Sequence, residues 1–202
     1  MNPQEIKSFF EKFSEKRSRT IVILDFGNVV KWQVSLKWRI GIRHLGNIVK
    51  NFSTGQKFLR RFYYGSDYGP NEKSLDMDNW SRVMLAQANM SGFEVVTKRV
   101  KYIRSQDNVY GYEKKCDLDV EMAVDLIRER DNYDNIVLFS GDGDLMYAVR
   151  YLNAEFGKKC YVFGARDHIG REVFDAKKDG IVTSIFFTED FEYRLNMDRN
   201  SH

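Results

Sequence analysis

The sequence predicts an α/β fold, with a central, mostly parallel sheet covered by helices on both faces. Three observations predict it. Short apolar, β-branched runs recur along the 202 residues, stretches of helical period alternate with them, and no proline- or glycine-rich linker divides the chain. Hydrophobic residues make up 43% of the chain, which is enough to build a core and argues against disorder.

Residues 1–19 read as a helical extension, with Ile6, Phe9, Phe10 and Phe13 on one face of a helix over 3–16. A domain over 20–190 follows, then a carboxy-terminal tail over 191–202. Residues 20–24 form a buried strand that ends at Asp25. Residues 34–51, apolar and basic together, read as a helix, and 59–64 as a second strand. A polar loop with Gly69-Pro70 leads to a helix over 78–90, closed by Gly92. Residues 93–100 alternate as a third strand, and the charged stretch 101–115 suits a hairpin or a loop. The second half alternates cleanly. Helices are expected over 119–130, 142–156 and 171–176, and strands over 135–139, 160–163 and 181–187.

Composition excludes several classes. No apolar run approaches the roughly 20 residues needed to span a bilayer. Residues 1–19 are too charged for a secretory signal. Two cysteines make no disulfide framework, so a cytoplasmic protein with reduced thiols is expected. The net charge of +3 hides an asymmetry: residues 1–62 hold 13 Lys/Arg against 4 Asp/Glu, and the remainder is acid-rich. That division suits a nucleic-acid enzyme, with cations for phosphates and carboxylates for metal.

In parallel sheets of this kind the site lies beyond the carboxyl ends of the strands. Asp25 follows one apolar strand, Asp142 and Asp144 follow another, and Asp119 opens the helix before it. Each acid taken singly suits a helix cap or a turn. Together at one sheet edge they repel, and a hard divalent cation, Mg²⁺ or Mn²⁺, resolves the repulsion. With three histidines in the chain, a histidine-rich zinc site is not expected.

The same residues resemble the NYN-domain, PIN-like ribonuclease family. Leu24-Asp25-Phe26-Gly27-Asn28 is similar to its first motif, and the run from Lys115 to Asp125, with an acid opening a helix and Ala-Val-Asp closing it, to its second. Ser140-Gly141-Asp142-Gly143-Asp144 is similar to its third, and Gly157-Lys158 to the strand entry that follows. The resemblance covers residues 20–165. It implies a PIN-like three-layer α/β/α sandwich, Mg²⁺ or Mn²⁺ on acidic residues, and hydrolysis of RNA to products that keep a 5′-phosphate. By position it implies Asp25, Asp119 and Asp142 as metal ligands, and Asp144 as a ligand or as the residue that orients water. Asn28 and Ser140 would hydrogen-bond and fix the carboxylates. The second motif carries an extra acid, so either Asp117 or Asp119 meets the metal, and the six-residue spacing to Asp125 favours Asp119. Asp125 would face away.

The expected reaction is attack of water on a phosphodiester, with up to two cations about 4 Å apart. Single-stranded or structured RNA would be gripped by Lys114 and Lys115, and by the basic segment holding Lys37, Arg39, Arg43, Lys50, Lys57, Arg60 and Arg61. Aromatic residues are interleaved there: Trp32, Trp38, Phe52, Phe62, Tyr63 and Tyr64. The same segment, 31–64, can instead bury a homodimer surface. Two rival readings remain. Residues 24–30 also resemble the nucleophile motif of haloacid-dehalogenase-like phosphatases, with Asp25 attacking phosphate, although Gly27 stands where that motif has a second acid. A non-catalytic RNA-binding module would keep the fold without needing the acids.

Overall fold

The computed structural model describes residues 4–5, 7–8, 10, 19–52, 59–70, 74–105 and 111–200. Eight strands and seven helices can be followed among them: β1 (Thr20–Asp25), α1 (Phe26–Leu36), α2 (Ile42–Val49), β2 (Arg60–Ser66), α3 (Asn79–Met90), β3 (Glu94–Arg99), β4 (Lys101–Arg104), β5 (Tyr112–Lys115), α4 (Asp119–Arg128), β6 (Asn135–Phe139), α5 (Met146–Phe156), β7 (Lys159–Gly164), α6 (Arg171–Lys178), β8 (Val182–Phe187) and α7 (Glu192–Leu195).

Six strands form one sheet in the order β3-β2-β1-β6-β7-β8, and every pairing within it is parallel. The chain winds from β1 outward to β2 and β3, then crosses back to β6 and winds the other way. The strand order therefore reverses between β1 and β6, which opens a crevice at their carboxyl ends. The pairing of Leu24 with Phe139 brings Asp25 and Ser140 to the same edge.

Two apolar cores lie on opposite faces of the sheet, and side-chain alternation assigns each strand residue to one of them. Val22, Leu24, Phe62, Val137, Phe139 and Phe163 pack beneath α1, α2, α3 and α7. Ile21, Ile23, Tyr63, Ile136, Leu138 and Val162 pack beneath α4, α5 and α6. Ile21, Val22, Ile23 and Leu24 are fully buried, each stabilising the fold by roughly 1.5–3 kcal/mol. A continuous apolar run marks a strand covered on both faces, so the expected three-layer α/β/α sandwich is the observed one.

Several boundaries differ from expectation. The helix expected over 34–51 is two helices. Lys37 turns left-handed (φ 59°) and ends α1, and Ile40 bridges to Asn196 before α2 begins. The break lets Ile40 and Ile42 enter the core beside Leu195. The helix expected over 142–156 begins only at Met146, because the Asp142 side chain accepts from the Asp144 amide and holds the acids in a loop. Residues 101–115 contribute an antiparallel hairpin, β4 with β5. Residues 191–200 are packed rather than trailing: Phe191 and Leu195 are buried, and Arg39 Nε donates to Asp198 Oδ1 at 2.9 Å. Of the expected amino-terminal helix, Ile6, Phe9 and Phe13 lie outside the described residues, whereas Phe10 packs edge-on against Phe52.

Arg61 does not reach the surface expected of it. It is buried on β2 rather than presented to substrate, held by Asp125 (2.8 Å), Glu129 (2.9 Å) and Glu94 (3.3 Å). Trp32, Phe52, Phe62 and Tyr63 are likewise core residues, so these rings form neither a nucleic-acid surface nor a dimer face.

Candidate metal centre and active-site cleft

The site is assembled by the ends of β1 and β6 and by the start of α4. Asp25 closes β1 and caps α1: one carboxylate oxygen accepts from the Asn28 amide (3.0 Å) and the other from Ser140 Oγ (3.1 Å). Ser140 Oγ in turn accepts from the Asp142 amide (3.2 Å). Asn28 Oδ1 accepts from the Gly141 amide (3.2 Å) and from the buried Trp32 indole (2.7 Å). The acidic loop is thereby tied to the core through Asn28. Gly141 is required where it stands, because a β-carbon there would collide with the His168 carbonyl. The Gly170 amide, two residues further on, donates to the Gly141 carbonyl (2.8 Å).

Three carboxylates, two from this loop and one from the start of α4, converge here. Asp119, Asp142 and Asp144 each offer an oxygen within 4.8 Å of the others. Asp25 lies beside this trio, close enough to Asp142 for the like charge to push its carboxyl up, although burial is the larger cause. Asp119 is pushed up to about 7, by burial first and then by Asp117, Asp142 and Asp25. Asp117 does not join the trio. Its side chain accepts from the Asp119 amide (3.0 Å), which holds its carboxyl below the usual range. Among the described residues, none of Asp25, Asp119, Asp142 and Asp144 forms an ion pair. Asp125, six residues beyond Asp119, points the opposite way, into the Arg61 cluster, where Tyr63 donates to it at 2.7 Å.

Both oxygens of Asp25 are occupied by donors, and that does not suit a phosphatase nucleophile. The trio does suit a cation. Three unpaired oxygen donors repel one another, and a hard dication is what such a set binds.

The carboxylates lie in a cleft of about 1620 Å³, far larger than an ion requires. Five of the expected substrate contacts line it: Arg39, Arg43, Lys50, Lys114 and Lys115. They are not equivalent. Arg39 is paired with Asp198, and Lys114 with Asp67 (2.6 Å), whereas Arg43, Lys50 and Lys115 form no ion pair among the described residues. Two further lining residues went unassigned in the sequence. Lys31, near enough to Asp25 to oppose the rise of its carboxyl, lies one α1 turn beyond Asn28. Trp80, in the first turn of α3, is 66% exposed on the cleft wall. No signal in the sequence marks Trp80, because its exposure on this wall is decided by the fold.

The sequence profile of the NYN domain matches residues 19–184, which is most of the chain. This chain belongs to the NYN family. NYN domains are PIN-like and their family is generally one of nucleases, in keeping with an acidic edge at β1, β6 and α4. Part of the chain is similar to the low amplitude and bright protein LabA of Synechococcus elongatus, at 39% identity over 64 residues. That match covers 32% of this NYN protein, which spans about a third (34%) of the relative's length. A crystal structure of a protein of unknown function from Vibrio parahaemolyticus has the same fold. Its TM-score is 0.60 at 19% identity, over 84% of this chain and 92% of that one. No helix among the described residues of this NYN protein is long and apolar enough to cross a membrane.

Proposed function

We propose that this NYN protein is a divalent-cation-dependent ribonuclease that hydrolyses phosphodiester bonds by attack of water. The convergence of Asp119, Asp142 and Asp144, with no cationic side chain among them, is the observation that carries the reading. Those three residues would hold Mg²⁺ or Mn²⁺, with Asp25 beside them. Such a cation, when bound, supplies charge neutralisation at the phosphate and an activated water. The chain's own groups do the rest. Ser140, Asn28 and the Gly141–His168 contact fix the carboxylates before substrate arrives. Asp144, the most exposed of the trio, would accept a proton from an attacking water. Lys31, Arg43 and Lys115 line the approach and offer charge to phosphates. The two free cysteines suit a reducing cytoplasm, and the Cys160 thiol, pushed up to about 12 by burial, is inert there.

The direct test is RNA cleavage with Mn²⁺ against the same reaction in EDTA. Cleavage that needs the cation supports the reading, and identical RNA in both arms removes it.

A pH dependence follows. Asp119 holds a proton in the metal-free fold up to about pH 7, against 3.8 for an ordinary aspartate. The folded state therefore binds more protons than the unfolded state across that window, and metal-free stability falls as pH rises through it. A bound dication must displace the same proton, so affinity for Mn²⁺ weakens below about pH 7. Thermal unfolding with and without Mn²⁺ is expected to show a larger stabilisation at pH 8 than at pH 6. An equal shift at both values would remove Asp119 from the ligand set.

A further inference from the structure

The cleft wall formed by α2 and α3 has a division of labour that metal binding does not explain. Helices α2 and α3 pack closely, and a β-carbon on Gly46 would stand 2.9 Å from the β-carbon of Ser91. On α2, Arg43, Asn47 and Lys50 form an exposed ridge at helical spacing. On α3, Trp80, Val83, Gln87 and Met90 form a second, with Trp80 66% and Met90 88% exposed. One ridge is polar and cationic, the other mostly apolar. Neither Arg43 nor Lys50 forms an ion pair among the described residues, and no carboxylate on α1, α2 or α3 lines the cleft. The same cleft continues to Asp119, Asp142 and Asp144.

We infer that the paired ridges of α2 and α3 bind an unpaired RNA strand leading to the acidic centre, with Trp80 as a platform on which one base stacks. The charge identifies the class of partner. A wall that is cationic and lacks acids matches a polyanion. An exposed indole beside the cations matches a polyanion that carries flat aromatic groups. A duplex does not fit, because its bases are stacked on one another and offer no face to an indole. The assignment rests on reading this cleft as a ribonuclease site and adds the strandedness of the substrate and a residue that selects it.

The test measures binding without cleavage, in EDTA, using a fluorescein-labelled single-stranded 12-mer of uridylate and a 12-base-pair RNA duplex. Wild type is expected to prefer the single strand. Trp80→Ala is expected to weaken that binding by about ten-fold or more, the usual loss for one stacked base, and to change duplex binding little. Trp80→Phe, which keeps a stacking face, is expected to retain most of the affinity. The Arg43→Ala/Lys50→Ala double variant is expected to bind less tightly and with a shallower salt dependence. Trp80 is largely exposed, so the fold should tolerate both replacements, and thermal unfolding checks it. Single-strand affinity unchanged in Trp80→Ala, or a wild-type preference for duplex, overturns the inference and leaves the ridge to another partner such as a protein. The stabilisation by Mn²⁺ separates this result from the metal centre. Loss of Mn²⁺ binding with intact Trp80-dependent RNA binding would sink the ribonuclease reading alone, and the reverse would sink only the platform.

Discussion

Asp142→Asn is expected to lower the rate of Mn²⁺-dependent RNA cleavage by on the order of a thousand-fold and to abolish thermal stabilisation by Mn²⁺. The substitution isolates charge from shape. Asparagine keeps the side-chain oxygen that accepts from the Asp144 amide (3.2 Å), and the backbone amide still donates to Ser140. The acidic loop should therefore hold its course. What disappears is one of three negative charges whose oxygens lie within 4.8 Å of one another. The metal-free variant should be more stable than wild type, because Asp119 and Asp25 each lose a repelling neighbour. The combination is diagnostic: higher stability with lost activity is what a preformed, repulsive metal site gives. Cleavage at the wild-type rate, or lower metal-free stability, would show that Asp142 is an ordinary loop residue.

The second large effect lies away from the cleft. Arg61→Met is expected to destabilise the fold by about 3–5 kcal/mol, the usual cost of stripping one partner from a buried ion pair. For a chain of this size that is a fall in Tm of roughly 6–20 °C. Arg61 is 3% exposed and, among the described residues, the only cation paired with Glu94, Asp125 and Glu129 together. Arg128, itself largely exposed, reaches Asp125 from outside (2.7 Å). Tyr63, held protonated by burial and by its bond to Asp125, adds a neutral donor. Removing Arg61 leaves Asp125 buried with one inner donor and one outer arginine. The Arg61→Met/Asp125→Asn double variant should recover a substantial part of the loss, since the orphaned charge goes with its partner. Chemical denaturation of the four proteins of the cycle measures this directly. Equal losses in the single and double variants would mean that packing of the arginine stem, not its charge, is what β2 needs.

Much of the architecture was legible because its signals are local. Residues 21–24 and 136–139 are apolar at every position, which only a doubly covered strand requires. The carboxyl-edge rule then brought Asp25, Asp142 and Asp144 to one place. The six-residue spacing to Asp125 favours Asp119 over Asp117, and Asp119 is the one that joins the cluster. The basic segment was where local reading failed. Residues 34–51 carry a continuous helical period, yet the chain breaks at Lys37 because residues 195–197, far away in sequence, pair with the segment that follows it. Arg61 reads as one more surface cation in a basic run. Its three carboxylate partners come from β3, from α4 and from the turn beyond α4, and no window around β2 contains them.

The sequence by itself determined the layering of this protein, the parallel sheet and the residue types at its carboxyl edge, because burial on both faces and strand-end chemistry depend on near neighbours along the chain. Only the tertiary structure decided which carboxylates meet and which cations are spent on structural pairs. It also decided that Trp80 lies open on the wall of the acidic cleft. Those outcomes depend on crossovers that bring α1, α4 and the loop after β6 together, and electrostatic interactions act over a few ångströms of space irrespective of separation in sequence.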